Sequence, residues 1–417
     1  MPENFHIDMP EAVRNIIHTI EEHGFKAYAV GGCIRDSILG RNPDDWDITT
    51  SAVPAQIKTF FKRTIDTGIV HGTVTVMVNK TGYEVTTYRI DGEYEDGRHP
   101  KSVEFSDRLV DDLCRRDFTI NAMAYNDTDG FVDEFKGLDD LDTKIIRCVG
   151  EPELRFTEDA LRMMRAIRFS AQLGFTIDEA TWNAIKKLSP SISKISMERV
   201  HVELGKTLMS AHPDYVAEYS EAGLFAPILP VIDNALKSRY KRKILATLQH
   251  TPDNIYLRYA ALFITSTPDE AAKTLRALKL DNKTVNTVSK LVELSKMDIE
   301  ETEPAVRTAL NKYGRDFLPL WHELMMAVIQ ASEDITGISN PAKVKHLLTL
   351  KRLGTDILAR GDCFTIKDLD ISGNDLIEYG LQGHEIGETL KSLLDIVIEN
   401  PKLNDKATLI AMIEHIK

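Results

Sequence analysis

The stretch that decides the fold runs from Tyr28 to Thr50 and reads YAVGGCIRDSILGRNPDDWDITT. The apolar run Phe25–Val30 ends at the double glycine Gly31-Gly32, which predicts a buried strand followed by a turn and a helix. Asp45–Thr49 predicts a second strand. Glycine lets the backbone approach a ligand closely, and the start of a helix presents free N–H groups to an anion. This segment therefore predicts an anion-binding turn between two strands.

Charged side chains surround this turn. Arg35 falls in the first turn of the predicted helix, where its guanidinium could bind a phosphate in a bidentate manner, and Gly32 would let that phosphate come close. Asp45 and Asp47 are two residues apart, so on a strand they point to the same face. Such a pair suits two divalent cations, and hard oxygen ligands beside phosphate favour Mg²⁺. The pattern predicts a catalytic metal site at Asp45 and Asp47.

Each of these signals has a plainer interpretation on its own. A double glycine is most often a turn, and an Asp-x-Asp pair is most often a solvated loop. The segment lacks the third glycine of a dinucleotide-binding fingerprint and the Gly-Lys-Ser/Thr of a P-loop. The order strand, glycine turn, helix, paired carboxylates, with Arg35 between them, favours the functional interpretation.

Residues on either side extend the α/β pattern. Apolar residues at helical spacing predict a helix over 10–23. Gly72–Val78 and Tyr83–Arg89 alternate with β-branched residues and predict a hairpin turning at Asn79–Gly82. Glu84 lies on the second strand of this hairpin and is a weak candidate for a third metal ligand. A half-exposed strand carboxylate is an equally good interpretation of Glu84.

Strand signals stop at about residue 150, and helical patterns follow, beginning with 158–173, 178–188 and 197–209. The fold class predicted is α+β, with a mixed sheet and flanking helices followed by an elongated all-α region. No apolar run reaches the roughly 18 residues of a membrane span. The N-terminal MPENFHIDMP resembles neither a secretory signal nor a transit peptide, and the four cysteines are far apart. A cytoplasmic protein without disulfide or zinc frame is predicted.

Six motifs in this order resemble the nucleotidyltransferase superfamily typified by DNA polymerase β. More narrowly, the chain is similar to the class II branch that holds CCA-adding tRNA nucleotidyltransferases and bacterial poly(A) polymerases. After the Tyr28–Thr50 segment, the similar motifs are DTGIVHGTVTV (66–76), EVTTYRIDGEYEDGRHP (84–100), RRDFTINAMAY (115–125), EDALRMMRAIRF (158–169) and ISKISMERVHVEL (192–204). The resemblance covers the first 210 residues densely and the remainder loosely. It implies that Arg116, the second arginine of RRDFTINAMAY, contacts the nucleotide. It also implies that the loop over 89–100 belongs to enzymes that add all three nucleotides.

The EDALRMMRAIRF motif suggests how a base is chosen. Asp159, Arg162 and Arg165 are spaced three apart, so on one helix they are surface neighbours, and Arg168 continues the row. A carboxylate beside a guanidinium matches the amino group and ring acceptor of cytosine and of adenine, and it rejects uracil and guanine. Asp159 and Arg162 are therefore predicted to choose C and A, with Arg165 and Arg168 holding phosphates or orienting the pair. The alternative is an exposed ion-pair stripe on an amphipathic helix.

The resemblance implies a CCA-adding enzyme that uses CTP and ATP to extend the 3′ end of tRNA, with Mg²⁺ as cofactor. It implies a nucleotidyltransferase head over 1–145, a base-recognising helical neck over 146–210, a helical body over 211–295 and a tRNA-binding tail over 296–417. A poly(A) polymerase is the alternative, although relatives of that type carry a basic C-terminal extension and residues 351–417 have a net charge of −4. A non-catalytic RNA-binding protein on the same scaffold ranks last because both carboxylates are present. A homodimer is left open.

The formal net charge of −13 excludes indiscriminate, polybasic nucleic-acid binding. The charge is uneven, with −10 over residues 1–150 and +1 over residues 151–350, the part predicted to face tRNA. A cluster of basic residues lies between 237 and 243. It could form an RNA-binding surface or simply a solvated helix face. Its members are Lys237, Arg239, Lys241, Arg242 and Lys243.

Overall fold

The computed structural model describes residues 6–92 and 102–416, which form two units, Met1–Pro230 and Val231–Lys417. Most of the predicted loop over 89–100 lies outside the described residues. The strands are β1 (Ala27–Val30), β2 (Asp47–Thr50), β3 (Thr64–Gly68), β4 (Thr73–Val78), β5 (Thr81–Thr87), β6 (Arg89–Asp91), β7 (Val103–Phe105), β8 (Ala124–Asn126), β9 (Gly130–Val132), β10 (Ile145–Ile146) and β11 (Thr176–Ile177).

Ten helices accompany these strands among the described residues of the first unit. They are α1 (Glu11–Glu22), α2 (Gly32–Ile38), α3 (Pro54–Phe60), α4 (Leu109–Cys114), α5 (Gly137–Asp142), α6 (Pro152–Glu158), α7 (Leu161–Leu173), α8 (Glu179–Leu188), α9 (Met197–Leu208) and α10 (Val216–Glu221). The predicted helix over 10–23 is confirmed, and α1 buries its apolar face as its spacing requires.

A mixed sheet forms the centre of the first unit, in the order β3-β4-β5-β2-β1-β8-β9. Its pairs are antiparallel except for β2 and β5, which run parallel. Every residue of β1 is buried, as the apolar run predicts for a central strand. Since β1 and β2 are antiparallel neighbours, the turn after β1 and the start of β2 lie at the same end of the strands. The α+β architecture with a mixed sheet is confirmed.

The hairpin of β4 and β5 is confirmed, but the predicted four-residue turn is wrong. Val78 pairs with Thr81, so the turn contains only Asn79 and Lys80, whose φ angles are +49° and +70°. Two positive φ angles are typical of the two-residue turn that matches the twist of a hairpin. Gly82 belongs to β5, where a Cβ would lie 2.7 Å from the side chain of Thr75.

Two predicted boundaries also differ from the structure. Strand β2 begins at Asp47, because its partner β1 ends at Val30 and leaves Asp45 nothing to pair with. The helix predicted over 158–173 is interrupted: α6 ends at Glu158, and α7 begins at Leu161. Asp159 is extended, with φ −144° and ψ 105°, and its carboxylate accepts the N–H of Leu161 at 3.0 Å. Aspartate favours such local bonds at helix starts over a helix interior.

In the described part of the second unit, every regular element is a helix. Its helices are α11 (Pro230–Lys237), α12 (Lys241–His250), α13 (Ile255–Leu262), α14 (Pro268–Ala277), α15 (Asn282–Leu294), α16 (Glu303–Tyr313), α17 (Phe317–Thr336), α18 (Pro341–Arg360), α19 (Gly373–Glu378), α20 (His384–Glu399) and α21 (Lys406–Ile416). Across residues 6–92 and 102–416, no helix is both long enough and apolar enough to cross a membrane. Strands do not end at residue 150 as predicted, because β11 pairs in parallel with β10.

Candidate active site

The glycine turn after β1 allows Arg116, from a segment distant in sequence, to approach the end of this strand. Gly31 has a φ of +87°, and its N–H donates to the carbonyl of Met123 at 3.1 Å. A Cβ on Gly31 would lie 2.8 Å from Nη1 of Arg116. The position therefore requires glycine twice, for its backbone conformation and for the close approach of the guanidinium.

The two aspartates stand beside this turn. Asp45 lies in the loop before β2 and Asp47 is the first residue of β2, and both line one cavity and are open to solvent. Surrounding protein removes enough water from the Asp47 carboxylate to raise its pKa, an effect that Arg116 opposes and Asp45 reinforces. The charges of the two carboxylates therefore interact, although only Asp47 is on the strand.

Glu84 interacts with the same two charges. The parallel register that pairs Ile48 with Val85 places Asp47 next to Glu84 on neighbouring strands. Burial raises the pKa of Glu84, and the charges of Asp47 and Asp45 raise it further. The structure therefore places Glu84, the weak third candidate, where the charges of Asp45 and Asp47 act on it. Glu84 does not line the cavity.

The donor set suits a cation that arrives with a phosphate ligand. In the described part of the chain, no group of three or more His, Cys, Asp or Glu side chains is arranged to hold a metal ion alone. Mg²⁺ commonly binds to one or two carboxylates and takes the rest of its ligands from water and substrate phosphates. Two neighbouring carboxylates, Asp45 and Asp47, next to a glycine turn that lines the same cavity, fit that mode of binding.

The cavity has a volume of about 660 Å³ and lies wholly within the first unit. Its walls come from the turn after β1, the loop before β2, the segment after α4, and helices α2, α7 and α9. The predicted site residues that line it are Gly32, Arg35, Asp45, Asp47, Arg116, Arg165 and Arg168. The sequence segments 28–50, 115–125 and 158–169 are therefore brought to one place.

Two of the arginines around the cavity, Arg35 and Arg116, are held by residues near them in sequence or in the segment after α4. Arg35 is only 8% exposed, and its guanidinium donates to both carboxylate oxygens of Asp36, at 2.9 and 2.7 Å, and to Asn121 at 2.6 Å. Arg116 pairs with the buried Asp112 at 3.3 Å. The fork of Arg35 is thus occupied by a carboxylate where the sequence suggested a phosphate.

The other two arginines lie on α7 and pair with buried acids. Arg165 contacts Asp117 at 2.6 Å, and Arg168 contacts Glu203 at 2.6 Å. Burial alone would raise the pKa of Asp117, but Arg165 and a bond from Asn121 outweigh it and hold that pKa well below the usual range. Asp117 therefore stays ionised and fixes α7 against the segment after α4.

Phe169 is a shared surface for three guanidinium groups. The ring centroid lies 3.8 Å from the Cζ of Arg168, 5.0 Å from that of Arg35 and 5.4 Å from that of Arg165. Phe118 packs against the same ring edge-on. Guanidinium groups are attracted to aromatic faces within about 6 Å, so this ring helps to keep the arginines in position.

Asp159 and Arg162 are not paired with each other, contrary to the prediction. Because Asp159 lies before α7 and not on it, the three-residue spacing does not make the two side chains neighbours. The Asp159 carboxylate instead binds Arg199 of α9 at 2.7 Å. Arg162 donates to Glu158 at 2.5 Å and to the carbonyl of Arg115 at 2.9 Å. Neither residue lines the 660 Å³ cavity.

Sequence reasoning missed the acids that hold the arginines. Asp112, Asp117 and Glu203 are buried, with at most 7% of each residue exposed. Asp117 follows Arg116 in RRDFTINAMAY, and Glu203 lies in ISKISMERVHVEL, so a signal existed in the motifs themselves. Their partners are far away in sequence, however, and no local spacing identifies a contact between Asp117 and Arg165.

Comparisons with known proteins identify the family of this chain. Residues 27–147 match the family model "Poly A polymerase head domain", 174–236 match "Probable RNA and SrmB-binding site of polymerase A", and 256–413 match a model of tRNA nucleotidyltransferase domain 2. The chain is 34% identical to the CCA-adding enzyme of Pediococcus pentosaceus, over 98% of both proteins. It is 37% identical to that of Limosilactobacillus fermentum, over 96% of this chain and 95% of the relative.

A solved structure shows the same fold over nearly the whole chain. The crystal structure of the CCA-adding enzyme of Bacillus stearothermophilus in complex with CTP has a TM-score of 0.75 and 32% identity. The alignment covers 97% of this chain and 96% of that structure. Both units therefore have counterparts in one relative.

Proposed function

This chain belongs to the family of CCA-adding enzymes, and on that premise we propose the roles of its residues in the reaction. The enzyme adds C, C and A to the 3′ end of tRNA from CTP and ATP, without a nucleic-acid template, and releases pyrophosphate. The observation that carries the residue roles is the common cavity: one space of about 660 Å³ is lined by Asp45, Asp47 and four arginines from α2, the RRDFTINAMAY segment and α7.

The chemistry is a transfer of a nucleotidyl group to a hydroxyl. Asp45 and Asp47, with Glu84 as a third candidate, hold Mg²⁺. When bound, the metal activates the attacking hydroxyl and neutralises the leaving phosphate oxygen. Arg116, fixed by Asp112 against the glycine turn, presents positive charge beside the two carboxylates. The residues thereby place opposite charges on two sides of the reacting phosphate.

The remaining residues seat the nucleotide. Gly32 leaves the backbone open to the triphosphate. Arg116 binds the triphosphate and ribose, and Arg35 joins it by exchanging its bonds to Asp36 for bonds to a phosphate. Arg165 and Arg168 hold the far side of the nucleotide from α7, where Asp117, Glu203 and Phe169 keep them in place. Because the guanidinium groups are already oriented, little ordering is required of them on binding.

Asp159 and Arg162 choose the base by exchanging partners. Asp159 is held by Arg199, and Arg162 is held by Glu158. A cytosine or adenine that reaches both groups replaces these ion pairs with one acceptor and one donor contact. Uracil or guanine presents a carbonyl to the carboxylate and an N–H to the guanidinium, so the exchange leaves both groups unsatisfied.

The rest of the chain carries the tRNA in this proposal. The head over 1–145 performs the chemistry, the neck over 146–210 reads the base, and the parts over 211–295 and 296–417 bind RNA. Of the basic run in α11 and α12, Lys237 pairs with Asp233 at 2.8 Å, whereas Arg242 and Lys243 are exposed. Maturation of tRNA ends places such an enzyme in the cytoplasm.

One experiment tests the activity and its alternatives. The protein is incubated with Mg²⁺, labelled CTP or ATP, and a tRNA that lacks its last three, two or one nucleotides. Addition should stop once a single CCA is complete. A long adenosine tail would identify a poly(A) polymerase, and no incorporation with RNA still bound would identify a non-catalytic RNA-binding protein.

A further inference from the structure

The cations around the catalytic cavity divide into two groups. Arg35, Arg116, Arg165 and Arg168 each have a carboxylate partner, as described above. Two more cations line the cavity, Arg41 and Lys206. Within residues 6–92 and 102–416, neither of the two has an acidic partner. Their charge is therefore available to a ligand without the loss of an ion pair.

Both unpaired cations stand where the cavity meets solvent. Arg41 lies in the loop between α2 and β2 and is exposed, and its guanidinium donates a long hydrogen bond of 3.4 Å to the carbonyl of Gln172 in the last turn of α7. Lys206 lies in the last turn of α9 and is also exposed. By contrast, Arg35 and Arg168 are 8% and 6% exposed.

An apolar side chain accompanies them. Met209 follows the last residue of α9, lines the same cavity and is 39% exposed. Lys206 and Met209 are three residues apart at the end of α9, so a free cation lies beside an exposed apolar group. Such a pair can contact the phosphate and the adjoining sugar or base of one nucleotide unit.

We propose that Arg41 and Lys206 bind backbone phosphates of the last nucleotides of the acceptor RNA, with Met209 in contact with the adjoining sugar or base. This inference rests on the proposed function, because it needs an RNA substrate. A cavity of about 660 Å³ can admit an incoming nucleotide and the end of the RNA, but the polymer must continue outward past the rim. Exposed cations at the rim are the groups that its phosphates meet.

The incoming triphosphate is served by other groups. It needs the carboxylates that would hold the metal and the arginines that acids keep in place, of which Arg35 and Arg168 are buried and Arg116 and Arg165 are half-buried. Arg41 and Lys206 thus separate binding of the RNA from binding of the nucleotide. Removal of either cation should weaken the first and leave the second unchanged.

The test compares Arg41→Met and Lys206→Met with Lys194→Met. Lys194 is exposed in the same unit and loses the same charge, but it does not line the cavity. The KM for a tRNA that lacks CCA and the KM for CTP are measured for each variant. Binding of the RNA is measured separately by fluorescence anisotropy over a series of salt concentrations, without nucleotide.

Each cavity variant should raise the KM for tRNA by about fivefold and leave the KM for CTP within about twofold. The slope of log affinity against log salt should fall by about 0.7 for each lost phosphate contact of a single strand. Lys194→Met and the charge-preserving Lys206→Arg should resemble the wild type. A raised KM for CTP with unchanged RNA binding would assign both residues to the triphosphate, and no change in either would refute the site. If the wild type itself adds no nucleotide while these RNA-binding differences persist, only the proposed function fails.

Discussion

At the scale of single residues, Asp47 carries its charge against an electrostatic cost. Desolvation by the surrounding protein raises its pKa, Arg116 opposes this effect, and the neighbouring Asp45 adds to it. A pKa that is higher in the folded than in the unfolded protein means that ionisation of Asp47 destabilises the fold at neutral pH. A carboxylate that is ionised at such a cost is typical of a functional site.

We expect Asp47→Asn to lower nucleotide incorporation by more than about 100-fold, because the metal loses a ligand, and to leave tRNA binding intact. The same change should raise the melting temperature at pH 7, measured without metal. That gain should shrink as the pH falls, because the wild-type carboxyl then becomes protonated and the cost of desolvating its charge disappears. Asp44→Asn removes one negative charge three residues before Asp47 and should change neither nucleotide incorporation nor the melting temperature. Lost tRNA binding would mean that the carboxylate is structural.

In the proposed function, Asp159 determines the choice of base, as Asp47 determines metal binding. Asp159→Ala should relax discrimination against UTP by about tenfold or more, because the group that repels the uracil carbonyl is gone, while the rate with CTP falls less. Competition between labelled CTP and UTP measures the ratio. Arg199→Met frees the Asp159 carboxylate without removing it and should keep the selectivity. Unchanged selectivity in Asp159→Ala would refute base reading by this side chain.

At the scale of elements, the turn between β1 and α2 distinguishes a structural glycine from a functional one. Gly31→Ala should cost about 1–3 kcal/mol, since φ is +87° and the new Cβ would lie 2.8 Å from Arg116. Gly32 begins α2, and a Cβ there would meet Arg35 at an ordinary 3.6 Å. Gly32→Ala should therefore fold normally but raise the KM for CTP, because the methyl group keeps the triphosphate away from the backbone. Denaturant melts and CTP titrations separate the two effects, and equal stability losses would contradict them.

Elements with strong local patterns were predictable from the sequence. The buried strand before Gly31, the β4–β5 hairpin and α1 were predicted because their periodicity reflects their own burial. The break at Asp159 was missed, since a local capping bond overrides an otherwise helical pattern. The partners of Arg165 and Arg168 were missed because they come from elements remote in sequence, and only the tertiary fold places Asp117 and Glu203 beside α7.

At the scale of the whole molecule, the net charge of −13 combines unlike parts. Residues 1–150, at −10, contain the carboxylates of the catalytic cavity and the buried acids Asp112 and Asp117. Many of these acids hold arginines and are not free surface charge. An acidic total is therefore compatible with local, salt-sensitive RNA binding at exposed cations.

The second unit has its own buried ionic centre at Arg307, whose removal should unfold that unit selectively. Arg307 is 2% exposed, and its guanidinium binds Asp362 after α18 at 2.9 Å and the carbonyl of Ile398 in α20 at 2.7 Å. It thereby joins α16 to two other helical segments. Arg307→Met leaves the carbonyl of Ile398 without this partner, whereas the Asp362 carboxylate keeps Arg360 at 2.9 Å, so we expect a loss of about 2–3 kcal/mol.

Hydrogen exchange should locate that loss in α16, α18 and α20, with amides of α7 and the β-sheet as protected as in the wild type. CTP binding should persist because its site lies within Met1–Pro230, whereas addition to tRNA should fall with the structure of the second unit. Lys312→Met is the matched control, because it removes an exposed cation of the same helix, paired with Glu293 at 2.7 Å, and should cost no more than about 1 kcal/mol. Equal loss of protection in the β-sheet would show that the two units unfold as one.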